Sequence, residues 1–476
     1  MSAEPAVGAT PLHWWTARDL AAAMRRRELS AREVVTWHLE RIDALNPRLN
    51  AVVSLRPETA LAEADAADRR AAAGEPLGPL HGLPIAIKDL VDTAGITTTY
   101  GSRAFATHVP EVDSLLVQRL RAAGVVIVGK TNTPEFGVGS HTFNEVFGVT
   151  RNPWAQERSA GGSSGGAGAA LAAGMLPIAD GSDHGGSIRN PASFNGVVGL
   201  RPTPGLVPDS GGGDVWDTAS VTGPMARTVG DLALMLSAIC APDDLHPLSH
   251  GDPAEFLGDL GGELTGLRIA WCPDLGGLPI ETEVMTVLGS ARERLVALGC
   301  DVQDVALDLS AADEAFETLR AVAFARAFGP GLPALRAEAK ETLIWNVERG
   351  LGLDGPAVAR AIAARSEVFV AMARLLGRFD LLAAPAAQVV PFPVGVEYPT
   401  EVAGVAMPHY LGWMRACSRI TVSAHPVVAV PAGFTQDGLP VGLQLVGRYR
   451  GDRRLLEHAA AWEAASGLTE RHPPLD

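Results

Sequence analysis

RSAGGSSGGAGAALAAGMLPIADGSDHGGSIRNPASFNGVVGLRP, residues 158–202, packs two serine–glycine clusters into one continuous run. The first is Gly161-Gly162-Ser163-Ser164-Gly165-Gly166, the second Asp183-His184-Gly185-Gly186-Ser187, and the key serines stand 187 − 163 = 24 residues apart. Between them, Ala167 to Ala173 is apolar and mostly small, which predicts a tightly packed helix rather than a linker. Glycines on both sides of a serine let backbone approach a substrate and expose successive N–H groups. A hydroxyl nucleophile beside such donors is the usual construction for acyl transfer.

Upstream, Leu80 to Asp89 (LHGLPIAIKD) reads as a short apolar strand carrying one lysine, Lys88. A lysine at the end of a buried strand is costly unless it is neutral or paired. The residues alone leave open a snorkelling lysine at a strand end. Further on, Gly124-Val125-Val126-Ile127-Val128-Gly129-Lys130-Thr131 satisfies the P-loop formula, but its four middle residues are all β-formers. A phosphate cradle needs a curled loop there, with a strand before it and a helix after it. A helix, Ser114 to Ala123, precedes instead, and Thr133-Pro134 follows. Gly161-Gly162-Ser163-Ser164-Gly165 likewise fits the G-x-S-x-G nucleophile elbow, whose strand should come immediately before the serine. Asn152 to Arg158 is polar and turn-forming. A Ser-His-Asp esterase built on Ser163 stays open as an alternative, with His246, His250, His409, His425, His458 and His472 following in sequence.

The flanks read as scaffold. Capping boxes at Thr16 and Ser30 open helices Leu20 to Arg27 and Val34 to Leu45, the second ended by Asn46-Pro47; a third spans Glu58 to Ala73. Thr203 to Ser220 is turn-rich and expected as surface loop, and Gly223 to Val229 is expected to open a helix to Cys240. Leu267 to Trp271 and Phe379 to Pro385 read as strands, with helices at Glu281 to Leu298, Ala311 to Phe328 and Pro356 to Leu376. Ser423 to Leu445 reads as closing strands with Asp437-Gly438 at the turn, and Arg454 to Ala465 as a last helix.

With 476 residues, 47% of them hydrophobic, the chain can bury a sizeable core. A net charge of −15 argues against nucleic acid or an anionic membrane as partner. Four scattered cysteines, Cys240, Cys272, Cys300 and Cys417, with no CxxC pair, suggest neither a metal site nor disulfides, and a cytoplasmic setting. No signal peptide is read at the N-terminus, and no apolar run is long enough to span a membrane.

The run 158–202, with Lys130 to Trp154 (KTNTPEF at its start) and Gly95 to Ser102 (GITTTYGS), resembles the signature of the amidase signature family, the Ser-cisSer-Lys amidohydrolases. The resemblance covers about residues 75–240 and 380–465 and is weakest in the middle third. It implies an α/β fold, an α/β/α sandwich with a large twisted mixed sheet covered by helices on both faces. One domain is expected over 1–476: an N-terminal helical part (1–74), signature core (75–240), variable, mainly helical region (241–380) and closing strands with a C-terminal helix (381–476). By this resemblance Ser187 is the nucleophile, Ser163, held in a cis peptide, the relay, and Lys88 the base. The backbone N–H groups of His184, Gly185, Gly186 and Ser187 form the oxyanion hole. Ser164, Asp183 and Arg189 support it, the last two as an ion pair. Gly137, Val138, Gly139 and Trp216 are candidates for the substrate pocket, as is the segment Tyr398 to Trp413. Neither cofactor nor metal is implied. The expected substrate is a small amide, ester or carbamate, and the expected state a monomer or homodimer without nucleic acid or membrane. The glutaminase-type subunit of a tRNA-dependent amidotransferase shares these motifs and is the second alternative.

Overall fold

The computed structural model describes residues 11–208 and 214–475, so part of the expected loop Thr203 to Ser220 lies outside the described residues. Helices α1 (Ala17–Arg25) and α2 (Ala31–Leu49) open the chain, and both expected caps are present. Thr16 accepts the Asp19 N–H, and Ser30 with Glu33 closes a complete capping box. Pro47 does not end α2; the helix runs on to Leu49, and Asn50, whose left-handed conformation (φ 50°) caps it, terminates it. After β1 (Val52–Val53) and α3 (Pro57–Ala72) come β2 (Pro84–Lys88), α4 (Leu115–Ala122) and β3 (Val126–Thr131). Most of the P-loop look-alike is therefore strand β3, fully buried.

A small hairpin, β4 (Phe143–Asn144) and β5 (Gly148–Val149), leads into the signature run: α5 (Gly165–Ala172), β6 (Ile178–Asp183), α6 (Arg189–Asn195) and β7 (Val198–Arg201). Then follow β8 (Val221–Ala226), α7 (Val229–Ile239), β9 (Arg268–Trp271), α8 (Thr282–Ala297), β10 (Asp301–Asp304) and α9 (Ala311–Phe328). Short α10 (Leu332–Leu335), α11 (Glu341–Leu351) and α12 (Gly355–Leu376) precede β11 (Leu381–Pro385) and the minor pair β12 (Glu401–Val402) and β13 (Val405–Ala406). The chain closes with α13 (Arg415–Val422), β14 (Val427–Phe434), β15 (Pro440–Val446) and α14 (Asp452–Ser466). Gly223 to Ala226, expected as the start of a helix, is instead the body of β8; the helix begins only after Thr228, which caps it.

The main sheet has eight strands in the order β10-β9-β11-β15-β14-β7-β8-β6, parallel across β10, β9 and β11 and antiparallel beyond. This is the mixed sheet of the expected α/β sandwich, with α6, α8 and α14 packed on its central strands β14 and β15. A separate three-stranded sheet, β1-β3-β2, carries Lys88 at the end of β2. It packs against β6, the edge of the main sheet, and that seam positions the chemistry.

Candidate active site

Three segments meet at the seam. Lys88 is fully buried, and its Nζ lies 2.8 Å from Ser163 Oγ, 2.8 Å from Ser164 Oγ and 2.9 Å from Ser182 Oγ. A neutral amine satisfies three hydroxyls by donating twice and accepting once. Burial pushes Lys88 down to about 7, against the pull of Asp180 and Asp183, so much of it is free base at neutral pH. Ser163 follows a cis peptide bond from Gly162, just ahead of α5.

Ser187 sits in the turn between β6 and α6, 5% exposed. That turn is pinned by Asp183, whose carboxylate accepts the N–H groups of Gly186 (2.9 Å) and Ile188 (3.1 Å). Arg189 donates to the same carboxylate through Nε (2.9 Å) and Nη2 (2.8 Å), and the ion pair is wholly buried. Burial would raise Asp183, but Arg189 and Arg201 overrule it and hold the carboxyl well below its usual range. Arg189 is fixed in turn by Cys417 O, Gln444 Oε1 and Thr421 Oγ1.

The expected oxyanion donors need one correction: the Gly186 N–H is spent on Asp183. The N–H groups of His184, Gly185 and Ser187 have no acceptor among the described residues. The His184 ring stands edge-on to Phe316 at 5.4 Å, its Nε2 without a partner, and burial, then Arg320 and Arg201, keep it neutral.

Ser163, Ser182 and Ser187 line one cavity of about 730 Å³. The Lys88–Ser163 link is formed, whereas among the described residues no hydrogen bond joins Ser163 to Ser187. Of the pocket candidates, Gly137 and Gly139 line the cavity. Val138 does not: its side chain is fully buried in the core, and its carbonyl accepts from Lys340 Nζ at 2.8 Å. Trp216 is 66% exposed and outside the lining. Trp413 is core as well, and its neighbour Met414 reaches the cavity instead.

Several lining groups carried no clear signal in the sequence. Phe136, Phe324 and Phe328 form an aromatic wall, with ring centroids 5.0 Å apart for Phe136–Phe328. Arg320 stacks over Phe324 at 4.4 Å and is held by the Tyr410 hydroxyl (3.2 Å from Nη2), with no carboxylate partner among the described residues. Ser182 and Asp180, which reach Lys88, lie on strand β6 in a stretch (ADGSD) to which the sequence assigned no role beyond Asp183. Among the described residues no histidine hydrogen-bonds to Ser163 or Ser187, and the His246 Nδ1 is taken up by Asp243 Oδ1 at 2.9 Å. The G-x-S-x-G alternative thus lacks its base, and no strand immediately precedes Ser163. No helix among the described residues is long and apolar enough to cross a membrane.

Fold and site together define a serine amidohydrolase. The family model described as Amidase matches residues 33–456, and the chain belongs to that family, whose members cleave C–N bonds of amides. An acylamidase of Rhodococcus erythropolis is 36% identical over 473 residues, covering 97% of this chain and 98% of its own. The crystal structure of a bacterial aryl acylamidase belonging to the amidase signature enzymes superposes with a TM-score of 0.91 at 29% identity, covering 97% and 98% of the two chains. A glutamyl-tRNA(Gln) amidotransferase subunit of Moorella thermoacetica is 37% identical over 496 residues, covering 98% and 99%.

Proposed function

We propose that this amidase cleaves small amides bearing an aromatic or apolar group, through an acyl-enzyme on Ser187 with Ser163 as relay and Lys88 as base. The observation that carries the reading is the fully buried Lys88 amine in contact with Ser163, pushed down by burial to about 7. Ser187 Oγ attacks the amide carbon while its proton passes to Ser163, and the Ser163 proton to Lys88. The carbonyl electron pair moves to oxygen, met by the unspent N–H groups of His184, Gly185 and Ser187. Collapse restores the carbonyl and breaks the C–N bond as Ser163 returns a proton to the leaving nitrogen. Water, activated by the same relay, then releases the acid. Esters and carbamates fit the same steps.

The aromatic wall supports an aryl or apolar substrate body, and Arg320 a hydrogen-bond acceptor on it. All three reactive side chains come from one chain, which suits a monomer or homodimer. Four free, buried cysteines suit a reducing cytoplasm. A panel of anilides, aliphatic amides, aryl esters and carbamates on wild type and Ser187→Ala tests the reading. Turnover of an aryl amide, lost by at least about 10³-fold in the variant, is expected. A variant as active as wild type removes Ser187 as nucleophile.

The likeness to the amidotransferase chain favours one second reading, a glutaminase working within an assembly. Glutamine hydrolysis answering to charged tRNA, with a second chain copurifying, would decide for it; robust aryl-amide turnover by the isolated chain decides for the first.

A further inference from the structure

We propose that Asp180 is a positioning residue for Lys88: its carboxylate holds the lysine's backbone, and its negative charge sets the pH above which the amine can accept a proton. The inference rests on the reading of Lys88 as the base.

Asp180 and Ser182 are two residues apart on β6 and so project from the same face. Ser182 Oγ meets Lys88 Nζ at 2.9 Å, and Asp180 Oδ1 accepts the Lys88 backbone N–H at 2.9 Å. The carboxylate therefore lies alongside the lysine side chain. This contact also replaces a ladder bond, since β2 lies in the small sheet and β6 in the large one. Asp180 is fully buried, and its Oδ2 has no hydrogen-bond partner. A neutral amide would hold the lysine's N–H as well as a carboxylate does, so the charge needs its own explanation.

The surrounding groups supply one. From β3, the buried Lys130 faces Asp180, its Nζ held by Val91 O and Thr93 Oγ1. Further along β6, Asp183 is committed to Arg189 and Arg201. Beside Lys88 itself, the Asp89 carboxylate is bonded to Thr99. Of the helices packed on β2, α2 brings His38 on its buried face, lowered to about 4 by burial and hence neutral, and α5 is preceded by Ser163 and Ser164. Lys130, Arg189 and Arg201 thus stand against Asp89, Asp180 and Asp183, three cations to three carboxylates, all buried. The set is neutral when Lys88 is neutral and Asp180 ionised. Burial pushes the Asp180 carboxyl up from its ordinary value, and the Lys88 N–H, Lys130 and Lys88 work against that rise and favour the ionised form. An ionised Asp180 in turn restrains how far burial can lower Lys88.

The test is the pH dependence of kcat/KM for an amide that the wild type hydrolyses, in wild type, Asp180→Asn and Asp180→Ser. Asn keeps the acceptor and removes the charge. The acid limb of the wild type is expected near 7, and in both variants about one unit lower, so that activity well below neutrality rises up to about tenfold relative to the plateau. A limb that stays in place, with kcat/KM lowered by one factor at every pH, means a merely structural role and overturns the proposal; so does a limb moved upward. Should neither variant fold, ¹³C NMR of the wild-type carboxyls gives the second readout: Asp180 ionised at neutral pH is expected, and a protonated group overturns the proposal. A wild-type profile flat through neutrality would fail differently, by removing Lys88 as the base.

Discussion

A buried amine gives up its proton more readily than a solvated one, and burial pushes Lys88 down to about 7. The same shift leaves a mark on stability. The Lys88 value falls from 10.5 in the unfolded chain to about 7 in the fold, so between those values the unfolded chain binds the extra proton. Stability attributable to this group therefore rises with pH from about 7 to 10.5, and the cost is fully present below 7. Lys88→Met, which removes the titration, should be favoured over wild type by an amount that shrinks as pH rises through that window. It is expected on the order of a few kcal/mol at the acid end. Chemical denaturation across the window reads it; a difference independent of pH would mean that the lysine is not desolvated. At this scale the sequence was legible in placement: Ser163 and Ser187 line one cavity, and Asp183 pairs with Arg189. It was not legible where a side chain merely happens to face the site: Trp216 turned out exposed, and Asp180 and Ser182 reached Lys88 without any local mark.

Among the elements, α5 shows why its glycines and alanines are so small. A Cβ on Gly166 would come within 2.4 Å of Asn132 N and 2.6 Å of Ala51 O, backbone atoms that cannot step aside. Gly166→Ala should therefore destabilise the fold by about 1–3 kcal/mol or more, and also depress activity, since Ser163 and Ser164 immediately precede this helix. Gly355, at the start of α12, has nothing within 4 Å of an added Cβ and no positive φ. Gly355→Ala is expected to leave activity unchanged and to stabilise by about 0.4–1 kcal/mol through the unfolded chain. Thermal melts of the two variants check both signs. Element type was readable for the helices with caps and the apolar strands. It failed for β8, where Gly223 and Pro224 obscure a strand, and it gave no reading of β6, whose IADGSD sequence holds few β-formers. Those two strands pair with each other along six residues, so partners supplied by the fold override weak local propensity.

Taken whole, the molecule divides its labour between a core that the sequence spelled out and a wall that it did not. Lys88 and both serines come from the first half of the chain, while Arg320, Phe324 and Phe328 enter the cavity from α9, in the third of the sequence that reads only as generic helix. Helical periodicity reveals that such a segment has a buried face, but not whether that face meets another helix or a substrate. Here α9 packs on α11, α12 and α13 and also presents its end to the cavity. Substrate preference should therefore be separable from chemistry. Among the described residues the ring of Phe328 meets those of Phe136 and Phe324, with centroids 5.0 and 5.7 Å apart, on the apolar wall rather than at the Lys88–Ser163 contact. Phe328→Ala opens the apolar side of the cavity and should raise KM for an aryl amide on the order of tenfold, the worth of a modest loss of apolar contact. A small aliphatic amide, which does not fill that space, should keep its kcat and KM within about twofold, and the acid limb of the pH profile should not move. Equal losses on both substrates would place Phe328 in the scaffold of the site rather than in its selectivity.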